Sequence, residues 1–148
     1  MKKAVILTAR KERDSQVPYP LLPFAGDTCL MDRTLAILRE NGIKQIAIVT
    51  GFCHEQFEKY KADDVTLIYN KEYEFTASMG SLALAKEFID EDFLLVEGDT
   101  FYEKKVIEKL CERAEGNCIS MTEESGSGDE CFVETKNGFV TKITKDRH

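Results

Sequence analysis

Apolar residues fall along this chain in short blocks of two kinds. Ala4–Leu7, Ile46–Val49, Val65–Tyr69 and Phe93–Val96 are continuous runs closed by polar or turn residues. Such runs predict strands buried on both faces. Between them the spacing becomes helical. Leu35, Ile37 and Leu38 lead to a stop at Asn41-Gly42, with Asp32 predicted as the cap. Phe57 and Tyr60 mark a short helix over 54–61. Leu82, Ala85 and Ile89 mark another over 78–88, and Val106, Ile107 and Leu110 a third over 105–114. Cys118–Met121 reads as a fifth strand. Lys136-Asn137-Gly138 lies between two β-prone runs, 132–135 and 139–144, and predicts a hairpin. Strands alternating with helices predict an α/β domain with a mostly parallel sheet, right-handed crossovers and a C-terminal antiparallel hairpin.

Two segments break the pattern. Residues 8–27 are polar and carry Pro18, Pro20 and Pro23, so a long loop is expected there rather than a regular helix. Ser125-Gly126-Ser127-Gly128 reads as a mobile loop. Residues 1–148 are taken as a single domain, and the stop directly after a strand points to a piece of a longer chain.

Charge narrows the function. The net charge of −7 argues against broad nucleic-acid binding, which needs a basic surface. Cys29, Cys53, Cys111, Cys118 and Cys131 show no C-x-x-C spacing, so neither a zinc site nor a disulfide framework is expected. Free thiols suit a cytoplasmic protein. Lys2 and Lys3 precede an apolar run too short for a signal peptide, and no window reaches membrane-spanning length.

Ligands of open α/β sheets bind beyond the carboxyl ends of the strands. Three segments occupy that edge. After the first strand, Arg10, Lys11 and Arg13 can hold a polyphosphate and stabilise a leaving pyrophosphate, although a solvated charged loop fits equally. After the fourth, Glu97-Gly98-Asp99 offers a carboxylate for Mg²⁺, or simply a turn. After the third, residues 70–82 place Tyr73 and Phe75 where they could cover a cationic head group, with Glu72 or Glu74 as counter-charge. The plainer alternative there is a helix cap at Thr76 or Ser78 with the aromatics in the core. His54 and His148 are isolated and receive no role.

The succession of these motifs resembles a family. A strand runs into a cationic loop, then a proline-rich stretch, residues 18–26. A helix, Asn-Gly-Ile, strand, Gly-Phe block follows over 35–52, and then Glu97-Gly98-Asp99. This is similar to the sugar-phosphate and phosphocholine nucleotidyltransferase superfamily over about residues 3 to 145. Asn70-x-x-Tyr73 followed by Ser78-x-x-Ser81-Leu82 resembles the phosphocholine cytidylyltransferase branch. The chain also resembles the cytidylyltransferase domain fused, in some bacteria, to a 2-aminoethylphosphonate transaminase.

The resemblance implies a Rossmann-like three-layer α/β/α nucleotidyltransferase domain that uses CTP and Mg²⁺. CMP would pass to a small amine-bearing phosphonate or phosphate, 2-aminoethylphosphonate or phosphocholine, with release of pyrophosphate. A C-terminal transaminase domain in the full-length chain is implied too. By position, Leu7, Thr8 and Ala9 would line the nucleotide pocket, and Arg10, Lys11 and Arg13 would replace the phosphate loop. Ser78, Gly80 and Ser81 would lie near base and ribose. Asp99 would hold Mg²⁺, and Tyr73 with Phe75 would receive the amine end of the substrate. The chain departs from the family's Ala-Gly-x-Gly-x-Arg loop, carrying Arg10 and Glu12 at the glycine positions. Tyr19 stands for the usual lysine between the prolines, with Lys11 as its possible substitute, and no second metal carboxylate is found before His148. Two other readings stay open: a sugar-1-phosphate nucleotidyltransferase, and a non-catalytic nucleotide-sensing or partner-docking domain.

Overall fold

A computed structural model describes residues 1–12, 14–113, 116–124, 126, 128 and 130–145. It contains two compact units, Met1–Cys118 and Ile119–His148. In the first, β1 (Lys3–Thr8) is followed by a 3-10 turn (Tyr19–Leu21), then β2 (Pro23–Ala25) and β3 (Thr28–Cys29). The chain continues through α1 (Leu30–Glu40), β4 (Gln45–Thr50), a 3-10 helix (His54–Tyr60) and β5 (Val65–Tyr69). It ends with α2 (Ser78–Leu84), β6 (Phe93–Glu97) and α3 (Lys104–Glu112). The second unit contains the hairpin of β7 (Phe132–Lys136) and β8 (Phe139–Thr144).

The four apolar runs form one parallel sheet in the order β5-β4-β1-β6. Alternation along β1 sends Ala4 and Ile6 to one face and Val5 and Leu7 to the other. On the first face lie α1 and α3, with Met31, Leu35, Leu38 and Ile107 packed on Ile46, Ile48, Leu94 and Val96. The second face is thinner. There Ala85, with Leu82, Phe88 and Ile89 partly buried, packs on Ala47 and Val49. Helices on both faces give the three-layer α/β/α arrangement.

The helix stop at Asn41-Gly42 forms as the sequence predicts. Gly42 adopts φ +81°, its N–H donates to the Arg39 carbonyl (3.0 Å), and the Ile43 N–H donates to that of Leu38 (3.1 Å). This double closure satisfies the last carbonyls of α1. The start of α1 differs from expectation. Cys29 is the cap residue, and Asp32, three positions on, accepts its N–H at 3.1 Å. The carboxylate thus caps backwards from inside the first turn.

Three further expectations change. The 8–27 loop has no regular α-helix, as expected, but it contains a 3-10 turn shaped by Pro18 and Pro20 and the short strand β2. The helix from Ser78 ends at Leu84, with turns in place of its predicted last residues. Cys118–Met121 forms no strand, and Ile119 and Met121 lie exposed. A short apolar run becomes a strand only where a neighbour pairs with it. The hairpin forms as predicted, with Asn137 (φ +52°) and Gly138 (φ +80°) at its turn. Ser125 and Ser127 of the predicted mobile loop lie outside the described residues. Among the described residues, no helix is long and apolar enough to cross a membrane.

Candidate functional site

The strand order creates the site. From β1 the chain builds outward through β4 to β5, then crosses to β6 on the other side of β1. Loops leaving β1 and β6 therefore diverge and open a crevice at their carboxyl ends. That crevice is lined by Leu7, Thr8, Ala9, Arg10 and Glu12 from β1 and its loop, and by Tyr19 and Pro20. Tyr73, Thr76, Ala77, Ser78 and Ser81 form another wall, and Glu97 and Asp99 a third.

Close backbone packing holds these walls together. The Gly98 N–H donates to the Leu7 carbonyl at 2.8 Å, and a Cβ on Gly98 would stand 2.4 Å from Thr8 Cγ2. Thr8 Oγ1 in turn donates to the Val49 carbonyl at 3.0 Å. On the other flank Gly51 lets the β1 loop and Tyr73 meet. A Cβ there would lie 2.4 Å from the Ala9 carbonyl oxygen and 2.6 Å from Tyr73 Cβ.

The 70–81 wall hangs on one buried amide. Asn70 Nδ2 donates to Thr76 Oγ1 (2.8 Å) and to Ser81 Oγ (3.0 Å), while Oδ1 accepts the Glu72 N–H (2.9 Å). Asn70 is 2% exposed, so none of these partners is replaced by water without cost. Asn70→Ala is expected to lower stability by about 1–2 kcal/mol in urea unfolding, by taking the amide partner from the buried Ser81 hydroxyl and from the turn at Glu72 and Thr76. An unchanged midpoint would show that the amide does not hold this wall.

The electrostatics centre on Arg10, Glu12, Glu97 and Asp99. The Arg10 guanidinium is bound in a fork by Glu12, Nε to Oε1 and NH2 to Oε2, both at 3.0 Å. Partial burial in the cleft, and then the charge of Asp99, hold Glu97 above the usual carboxylate range, while Arg10 and a hydrogen bond from Ser78 pull the other way. Tyr102 supports this strand end by accepting the Glu97 N–H at 3.2 Å. Hard carboxylate oxygens that already repel one another fit a divalent cation such as Mg²⁺.

The sequence-predicted residues divide clearly. Leu7, Thr8, Ala9, Arg10, Tyr73, Ser78, Ser81 and Asp99 all line the cleft. Lys11 does not, because its ammonium lies over the Phe52 ring, 5.2 Å from the centroid. Lys11 thus stands outside the lining to which Tyr19 belongs. Gly80 sits behind the wall, where a Cβ would meet Thr76 Cβ at 2.7 Å. Phe75 is 84% exposed and lines no part of the cleft, so the structure does not pair it with Tyr73 there, nor place it in the core. Arg13 lies outside the described residues. Thr76 and Ser78 are not the helix cap, a position that falls to Ala77. Glu12, Tyr19, Pro20, Thr76, Ala77 and Glu97 line the cleft without having been assigned to it from the sequence. Glu97 was legible, since it stands beside Asp99 at the same strand end. Glu12 was not, because a carboxylate among three cations reads as a solvated loop.

Comparison with known proteins shows the family and the fold. Residues 4–138 match the family described as "MobA-like NTP transferase domain". The choline-phosphate cytidylyltransferase of Haemophilus influenzae is 40% identical over 114 residues, covering 76% of this chain and 48% of that protein. The CMP-5'-(3-aminopropyl)phosphonate synthase of Streptomyces rubellomurinus is 30% identical over 128 residues, 80% of this chain and 20% of the relative. The chain thus spans less than half the length of these two curated relatives. Among solved structures, the CTP:phosphocholine cytidylyltransferase of Streptococcus pneumoniae superposes with TM-score 0.68 at 21% identity, covering 97% of this chain and 64% of the other. The inositol-1-phosphate CTP transferase of T. maritima gives 0.72 at 19% identity, covering 98% and 64%. At these identities the structural likeness shows the fold.

Proposed function

The chain belongs to the MobA-like NTP transferase family, and on that premise we propose that it transfers CMP from CTP to a small amine-bearing phosphonate or phosphate, 2-aminoethylphosphonate or phosphocholine. One observation carries the reading. Arg10, the β1 loop and Asp99 line the same crevice at the β1/β6 switch point, which supports a polyphosphate and its cation being bound there. The names of the two curated relatives support cytidylyl transfer to an aminophosphonate or phosphocholine. The local charge supports it as well: Glu12, Glu97 and Asp99 line the cleft with Arg10, which favours an acceptor carrying an amine over a neutral polyol. The inositol-1-phosphate CTP transferase among the structural neighbours keeps a sugar- or polyol-phosphate acceptor as the second reading.

In this reading an oxygen of the acceptor attacks the α-phosphorus of CTP in line, the bond to the β-phosphate bridging oxygen breaks, and pyrophosphate leaves. Leu7, Thr8, Ala9, Ser78 and Ser81 bind and orient the nucleotide. Arg10 holds the β- and γ-phosphates and takes up charge on the leaving pyrophosphate. Tyr73 covers the amine end of the acceptor. Mg²⁺, held by Asp99, would supply charge neutralisation at the phosphate oxygens. The five cysteines are free, which supports a cytoplasmic location. A fused C-terminal transaminase belongs to the same reading, since it would handle the same aminophosphonate.

Thermal shift with CTP, UTP, ATP and GTP, each with and without Mg²⁺, tests the proposal, because a ligand of the folded state raises its melting temperature. A Mg²⁺-dependent shift largest for CTP is expected. A larger shift with another nucleotide, or none with CTP, would overturn it. Arg10→Ala is expected to weaken CTP about tenfold and CMP by less than about twofold, the loss of one charge-assisted phosphate contact. Equal losses in titration calorimetry would remove Arg10 from the β- and γ-phosphates.

A further inference from the structure

Glu12 is the residue for which the fold alone gives no account. Its side chain is only 16% exposed, whereas that of Arg10 is 69% exposed. The carboxylate is thus turned inward along the cleft, and it holds the guanidinium by the Nε/NH2 edge. That edge offers two parallel N–H groups, the arrangement with which arginine grips either a carboxylate or a phosphate. Those two donors cannot serve both, so a phosphate gripping this edge must displace the carboxylate, whereas one on the Nη1/Nη2 edge would not. We propose that Glu12 is an internal competitor for Arg10 that sets the affinity and selectivity of the cleft for polyphosphate, an inference that rests on the nucleotide-transfer reading above.

The physical argument is one of exchange. A group bringing one charge and one contact gains little by replacing a carboxylate already in place. A polyphosphate brings several charges and a second contact elsewhere in the cleft, and so displaces Glu12 at a net gain. A carboxylate left beside the arriving phosphate would repel it, as Asp99 already does to Glu97. Glu12 therefore moves off Arg10 when polyphosphate binds. The cleft holds pyrophosphate less tightly than a bare arginine would, which favours release of that product.

Titration calorimetry on the full chain tests this with wild type, Glu12→Gln, Arg10→Ala and the double variant. The probes are CTP, CMP and inorganic tripolyphosphate, all with Mg²⁺. Glu12→Gln keeps the shape and removes the charge. It is expected to tighten CTP and tripolyphosphate about three- to tenfold when Arg10 is present, and to leave CMP within about twofold. In the Arg10→Ala background the same change is expected to give a clearly smaller gain, the relief of repulsion alone. Weaker polyphosphate binding by Glu12→Gln would show instead that Glu12 positions Arg10, and would overturn the proposal. An equal gain in both backgrounds would reduce Glu12 to general repulsion and overturn it too, as would absence of tripolyphosphate binding by Glu12→Gln. If no variant binds CTP but tripolyphosphate shows the Arg10-dependent gain, nucleotide transfer fails as the function and the competitor stands.

Discussion

Asp99→Asn is expected to abolish Mg²⁺-dependent nucleotide binding while the domain stays folded. Asp99 is exposed at the end of β6, where its carboxylate accepts a long hydrogen bond (3.4 Å) from Thr100 Oγ1. Little of the fold depends on that contact, so the change is expected to move the unfolding midpoint by less than about 0.5 kcal/mol. The site loses far more. A carboxylate is the hard anionic donor a divalent cation selects, and a neutral amide in its place removes the charge opposing that cation. A loss of at least about a hundredfold in Mg²⁺-CTP affinity is expected, about 2.7 kcal/mol. Calorimetry with and without EDTA reads it directly. Binding that survives in the variant would take Asp99 out of the site. Relief of Glu97 is a second signature, because the Asp99 charge helps to hold that carboxyl up. In the variant its titration moves down towards the ordinary range.

Gly51→Ala is expected to cost about 3 kcal/mol of stability, since a methyl forced against fixed atoms displaces backbone. The added carbon would stand 2.4 Å from the carbonyl oxygen of Ala9 and 2.6 Å from Tyr73 Cβ. Neither atom is the free end of a flexible side chain. The Ala9 carbonyl also accepts the Phe52 N–H at 2.9 Å, so relieving the clash strains that bond. Urea unfolding with an unchanged slope gives the cost. A variant as stable as wild type would show that the β1 loop and Tyr73 do not approach this closely in solution. Nucleotide affinity should fall with stability, because the displaced atoms belong to the two walls of the cleft.

Much of the scaffold was legible because its signals are local. Four apolar runs, an Asn-Gly helix stop and an Asn-Gly hairpin each report on neighbouring residues, and each forms as read. Cys118–Met121 was misread because pairing is not a local property. Asp32 was misplaced by three positions because Cys29, a poor cap by residue type, takes the position and is served by the carboxylate behind it. In the site, residues on the strand ends were readable from the switch-point rule. Side chains on the connecting loop were not. Lys11 turns to Phe52 and Glu12 turns inward, and alternation of charge along 10–14 gives no sign of which way either faces. Asn70 is legible in the sequence as the start of the Asn70-x-x-Tyr73 motif but not as a latch, since a buried amide joining Glu72, Thr76 and Ser81 requires the fold to bring them together.

The two faces of the sheet are unequal, and the inequality falls where the ligand is expected. One face carries α1, α3 and a deep aliphatic core. The other carries the seven-residue α2 and small side chains such as Ala47 and Ala85. Local opening follows the density of buried apolar contacts, so the molecule separates into a stiff half and a yielding half. The yielding half holds Tyr73, Ser78 and Ser81. Its Asn70 latch is three hydrogen bonds over a thin apolar layer, so local opening there is expected to need less free energy than opening of α1 or the strands beneath. Structural integrity and conformational adaptation are thereby assigned to opposite sides of one sheet, and substitutions on the thin side can retune recognition while the thick side keeps the chain folded.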